Sequence, residues 1–169
     1  MRTFPAFALV VSVSMASGEG FPQDKTPLSA DSVHNPTTRF ALERAVRGAM
    51  GRLERPECRR VLSDFRDASG RTIQENLDLL GETPRGHLAR ITFIEALDRR
   101  RCKSPGVLAV TTIGGREVFI CSPQFWQVYR SDPSHVEALL IHEMMHTLGL
   151  GENPPTSMEI NAQVLKRCR

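Results

Sequence analysis

The chain has 169 residues, 22 Lys and Arg against 19 Asp and Glu, a formal charge of +3 and 40% hydrophobic residues. At roughly 100–200 residues per domain, such a length carries one domain with its own core and leaves no room for two catalytic ones. The balance excludes a disordered or fibrous chain, and so small a positive charge falls short of the basic stripe that nucleic-acid binding needs.

Met1 and Arg2 precede a short apolar run from Phe4 to Val13, and small residues follow at Ser14, Ala16, Ser17 and Gly18. This is the layout of a secretory signal peptide, expected over residues 1–16 with the cut after Ala16, or as second choice after Gly18. The run is well short of the roughly 20 residues that span a bilayer. The mature protein is therefore expected to be secreted or periplasmic, with no membrane attachment. Cys58, Cys102, Cys121 and Cys168 agree with export: the count is even and no CxxC pair suggests a cysteine zinc site or redox motif. Two disulfides are expected, and the three possible pairings stay open.

Residues 17–37, rich in Ser, Pro, Asp and Gly, read as a flexible leader, and 38–169 as the domain. From Thr38, apolar residues at Leu42, Val46, Met50 and Leu53 predict a helix that Pro56 interrupts. A short helix should carry Cys58, Val61, Leu62 and Phe65 and end at the Asp67–Gly70 turn; another should carry Leu77, Leu79 and Leu80 and close at Gly81. The texture then turns to strand, at Ile91–Ile94, Val107–Ile113 and Glu117–Cys121. Gly114 and Gly115 between the last two are a two-residue hairpin signal. Arg99, Arg100, Arg101 and Lys103 could bind an acidic partner, but read first as a solvated loop, because no aromatic residue interleaves them. Pro133 opens a helix apolar on nearly every side, capped by Ser131 or Asp132 and buried within the domain.

That helix holds His142, Glu143 and His146, and Gly149 and Glu152 follow in the same segment. At 100° per residue, His142 and His146 lie about 40° apart and one turn along the axis, so both imidazoles can bind one metal ion. Glu143, about 60° from His146, is offset from the ligand line yet near enough to reach a water on the metal. Unpaired His and Glu are costly inside so apolar a helix, and a metal gives them a reason to be there.

The segment from His142 to Glu152 resembles the active-site helix of the zincin metallopeptidases, in the metzincin-like form HExxHxxGxxE. The resemblance implies Zn2+ held by His142, His146 and Glu152, with Gly149 at the sharp turn that brings the third ligand under the metal. Glu152 stands where metzincins have His; a carboxylate is an accepted zinc ligand. The resemblance also implies Glu143 as the catalytic base and a peptide or protein substrate laid along a strand edge, here Glu117–Cys121; the hydrolase is expected to be a monomer. Glu159 competes for the third-ligand role, as a glutamate on a following helix over residues 157–167, after Pro154 and Pro155. Against it, Thr156 and Glu159 read as a capping box. Two other readings stay open: a zincin-like domain with a purely structural metal, and an amidase acting on a non-protein substrate.

Of the remaining candidates, His135 falls near the ligand face and His87 and His34 read as loop or leader residues. Tyr129 is expected to pack beside Trp126, and Met158 to pack as core rather than as a methionine turn. The expected fold is α+β, a short twisted mixed sheet of three or four strands packed on the buried helix, covered by helices from the first half and braced by disulfides.

Overall fold

The computed structural model describes Ala30, residues 32–96 and residues 100–169. The segment expected to be a signal peptide, most of the expected leader and Arg99 lie outside the described residues. The chain forms α1 (Pro36–Leu53), α2 (Pro56–Arg59), α3 (Val61–Asp64), α4 (Ile73–Leu79) and α5 (Pro84–Ala89) before the first strand, β1 (Thr92–Glu95). A 3₁₀ turn at Arg100–Lys103 leads to β2 (Ala109–Thr111) and β3 (Glu117–Ile120), then α6 (Ser122–Ser131), α7 (Pro133–Thr147) and α8 (Ser157–Arg167).

α1 begins where Asn35 Oδ1 accepts from the Thr37 and Thr38 N–H groups, with Pro36 at the first helical position. Leu42, Val46, Met50 and Leu53 are buried as their spacing requires, together with Ala41, Ala45 and Ala49, whose small side chains let α1 lie closely against α7. At Gly48 the contact is tightest: a Cβ there would stand 2.3 Å from Glu137 Oε1 of α7. Glu137 pairs with Arg52 one turn further along α1, at 2.6 Å.

The stretch read as a leader ends in contact with the domain. Val33 is fully buried, Ser32 forms a single parallel bridge with Ile94, and Glu95 Oε2 accepts from the His34 and Asn35 N–H groups at 2.8 and 3.0 Å. Glu95 also accepts from Ser122 Oγ, so one carboxylate joins the incoming chain, β1 and α6.

The sheet is mixed, as expected, and has three strands in the order β1-β3-β2. β1 runs parallel to β3, and β2 runs antiparallel to it with Thr111 opposite Val118. β3 is thus the central strand, and the expectation that Glu117–Cys121 forms the open edge is corrected: that edge is β2. The hairpin also differs from a two-residue turn, because the strands stop at Thr111 and Glu117 and five residues connect them. The connection is wide because it serves the helix: the Gly114 N–H, at φ +73°, donates to the His146 carbonyl at 2.9 Å.

The second predicted helix is broken at Arg60 into two single turns, and α5 and α6 arise where no helix was read. Both missed helices carry a proline in the first turn: Pro84 opens α5 after the Thr83 cap, and Pro123 is the second residue of α6. Cys58 bonds Cys168 and Cys102 bonds Cys121. The first ties α2 to the residue after α8 across 110 positions; the second ties the 3₁₀ turn to the end of β3. Two disulfides are compatible with an oxidising compartment. No helix among the described residues is long and apolar enough to cross a membrane.

Candidate metal centre

α7 starts on Pro133 with Asp132 as its cap, the Asp132 carboxylate accepting from the His135 N–H at 3.0 Å. It is buried from Ala138 to Thr147. It ends in a Schellman motif: the Gly149 N–H donates to the His146 carbonyl and the Leu150 N–H to the Met145 carbonyl, both at 3.0 Å. Gly149 takes φ +100°, which a side chain would oppose. The Leu148 carbonyl accepts from Asn76 Nδ2 at 2.9 Å, and the same amide reaches Asp67 Oδ2, so α4 and its preceding loop secure the turn. The chain then reverses and carries Glu152 back toward the helix.

His142 and His146 lie one turn apart with ring centres 4.6 Å from each other and ring planes tilted by 57°. Each ring is oriented through Nδ1. His146 Nδ1–H donates to the Leu150 carbonyl at 2.7 Å, and His142 Nδ1 meets Asn161 Oδ1 of α8 at 2.8 Å. A carbonyl can only accept, so in neutral rings the proton sits on Nδ1 and both Nε2 atoms carry lone pairs. These two Nε2 atoms face each other at 2.8 Å, with Glu152 Oε1 at 3.2 Å from one and 3.4 Å from the other. Three electron-rich atoms so close repel one another unless a cation lies among them. Ligand atoms about 2.0–2.1 Å from a tetrahedral zinc stand roughly 3.3 Å apart, so the donor set fits this ion in type and in spacing. Among the described residues, this is the group of His, Cys, Asp and Glu side chains that could hold a metal. Burial, more than any neighbour, pushes the His142 imidazole below its ordinary pKa and favours the neutral form that a metal requires; the Glu143 charge opposes this.

Glu143 is 5% exposed and its Oε2 accepts from Thr111 Oγ1 of β2 at 2.6 Å. It lines a cleft of about 520 Å³ together with His146, Glu152 and Asn161. β2 forms one wall of this cleft, and Leu139 and His135 of α7 continue its floor away from the histidine pair. Glu143, His142, His146 and Glu152 therefore come together as expected.

Glu159 does not join them. It is exposed at the start of α8, which spans Ser157–Arg167 as read, and its Oε2 accepts from the Thr156 N–H and Oγ1, both at 2.8 Å. The cap holds the carboxyl below its usual range. Met158, 79% exposed, packs neither in the core nor beneath the histidines. Tyr129 stacks on Trp126 as expected. His87 is corrected from a loop residue to a buried one in α5, between Glu82 at 2.7 Å and Thr147 Oγ1 at 2.8 Å.

Sequence reasoning missed Thr111 and Asn161. Thr111 left a trace, a hydroxyl at the buried end of an apolar strand; Asn161 left none, because only the packing of α8 on α7 brings it to His142. No protein family, no curated protein and no solved structure matches this chain.

Proposed function

We propose that the chain is a small exported zinc-dependent endopeptidase of the zincin type, with His142, His146 and Glu152 holding the metal and Glu143 as the catalytic base. The convergence of two proton-free Nε2 atoms and one carboxylate oxygen, each ring fixed from behind, is the observation that carries this reading. A bound zinc supplies Lewis acidity, which polarises a carbonyl and lowers the pKa of a water. The protein's own groups do the rest. Asn161 and the Leu150 carbonyl hold the imidazoles in one tautomer. Thr111 fixes one oxygen of Glu143, so that the carboxylate is positioned to take a proton from water and return it to the leaving amine. The free edge of β2 beside Glu143 gives an extended peptide a strand to pair with.

Elemental analysis of the purified mature protein, together with cleavage of an unfolded protein substrate by wild type and Glu143→Gln, tests the proposal. One zinc per chain in both forms and cleavage only by wild type are expected. Zinc in both forms with cleavage by neither would reassign the ion to bracing the fold. No zinc in either would end the reading.

A further inference from the structure

We infer that the end of the cleft remote from the histidines recognises a carboxylate of the substrate through Arg100 and Lys103, making the enzyme selective for acidic peptides; this rests on the peptidase reading above. Two contacts fix how the wall and the floor of the cleft run. Thr111 meets Glu143 and Gly114 meets His146, so β2 and α7 advance together toward the histidine end. Traced backward, β2 leads through Val107 and Gly106 to Ser104, while the floor leads through Leu139 to His135, and all of these line the cleft.

Arg100 and Lys103 lie just before Ser104, exposed, on the 3₁₀ turn. Neither forms a salt bridge among the described residues, whereas Arg52, Arg85 and Arg167 all do. Their turn is held in place twice: Cys102 is bonded to Cys121, and its carbonyl accepts from Gln124 Nε2 at 2.7 Å. A tethered turn loses less freedom when its cations engage an anion. His135 adds an imidazole donor at the same end, and the carboxylates that line the cleft, Glu143 and Glu152, belong to the other end. The inferred cation site and these carboxylates thus stand at opposite ends of the cleft.

That placement fixes where the acid must sit. Seven residues of helix between His135 and His142 span about 10 Å, which an extended peptide covers in about three residues. Antiparallel addition, the commoner mode, runs the substrate opposite to β2, so the acid lies about three residues C-terminal to the scissile bond. A glutamate or aspartate side chain and a terminal carboxylate share this chemistry.

The test uses the zinc-loaded Glu143→Gln protein and three labelled heptapeptides, read by fluorescence anisotropy at low and at physiological salt. One has Glu near an amidated end, one Gln with a free terminal carboxylate, and one Gln with an amidated end. At least fivefold tighter binding of either carboxylate peptide over the neutral one is expected, shrinking at higher salt. The preference should vanish in Arg100→Ala/Lys103→Ala and reverse toward a Lys peptide in Arg100→Glu/Lys103→Glu. The first two peptides distinguish an internal acid from an end-recognising site. Equal binding of all three, or a preference unchanged in both double variants, overturns the inference. Cleavage-site mapping on an unfolded protein with active enzyme decides the peptidase reading separately: no cleavage sinks that reading, while the binding result still decides this one.

Discussion

The molecule buries histidines in two places, and they are built differently. His87 is closed on both sides by protein, Glu82 at Nδ1 and Thr147 at Nε2. His142 and His146 are closed on one side only; their Nδ1 atoms are satisfied, and their Nε2 atoms meet each other and Glu152. Burial penalises the charged form of both His87 and His142, and both sit below the ordinary imidazole value. A buried histidine is therefore not in itself a sign of chemistry. What marks a ligand is the direction in which its unshared electrons are left pointing.

Substitutions can break this contrast. The largest effect is expected at the pair itself: His146→Ala should abolish stoichiometric zinc, an affinity loss of at least about 10³-fold, as measured by competition with a chelating dye. His87→Ala should keep its zinc. Next comes Glu143→Gln, expected to lower kcat by about 10²–10⁴-fold with zinc content intact, since it removes a proton carrier and no ligand. Asn161→Ala removes the partner that orients one ligand and should weaken zinc binding about 10–100-fold. His87→Ala should instead cost about 2–3 kcal/mol in chemical denaturation, by emptying a buried site and taking one hydrogen-bond partner each from Glu82 and Thr147.

The smallest effect is pH dependence. His87 is lowered from 6.5 in the folded state, so the unfolded chain binds the extra proton first. Stability of the metal-free protein should be full above about pH 6.5 and fall on acidification, with a shallower slope in His87→Gln. Glu95 and Asp64, lowered from 4.5 and 3.8, extend the loss below those values, because their stabilisation needs the ionised form. A wild-type curve flat between pH 7 and 4 would remove the pKa argument.

The two sites were not equally legible in the sequence. The pair on α7 follows from helical spacing alone, whereas Glu152 as their companion follows only from the resemblance to the metzincin-like pattern, in which Gly149 holds the turn position. The capping box that occupies Glu159 is a local signal, written within four residues. His87 misled because its burial is tertiary: it depends on α5 docking against α1 and α7, which no local pattern encodes. Strand order was hidden for the same reason. Period-two alternation finds β2 and β3 but cannot say which is central, as that depends on β1 pairing across 25 residues with β3.

The bond between Cys58 and Cys168 fastens the far side of α8 to α2, while Asn161 on the same helix reaches His142. Arg52 and Arg55 hold the Cys168 carbonyl from α1 and the turn beyond it. Losing the disulfide would thus release one of the ties on the helix that keeps one imidazole aimed. Reduction of this bond, well away from the cleft, would then reach the histidine pair without touching either ring.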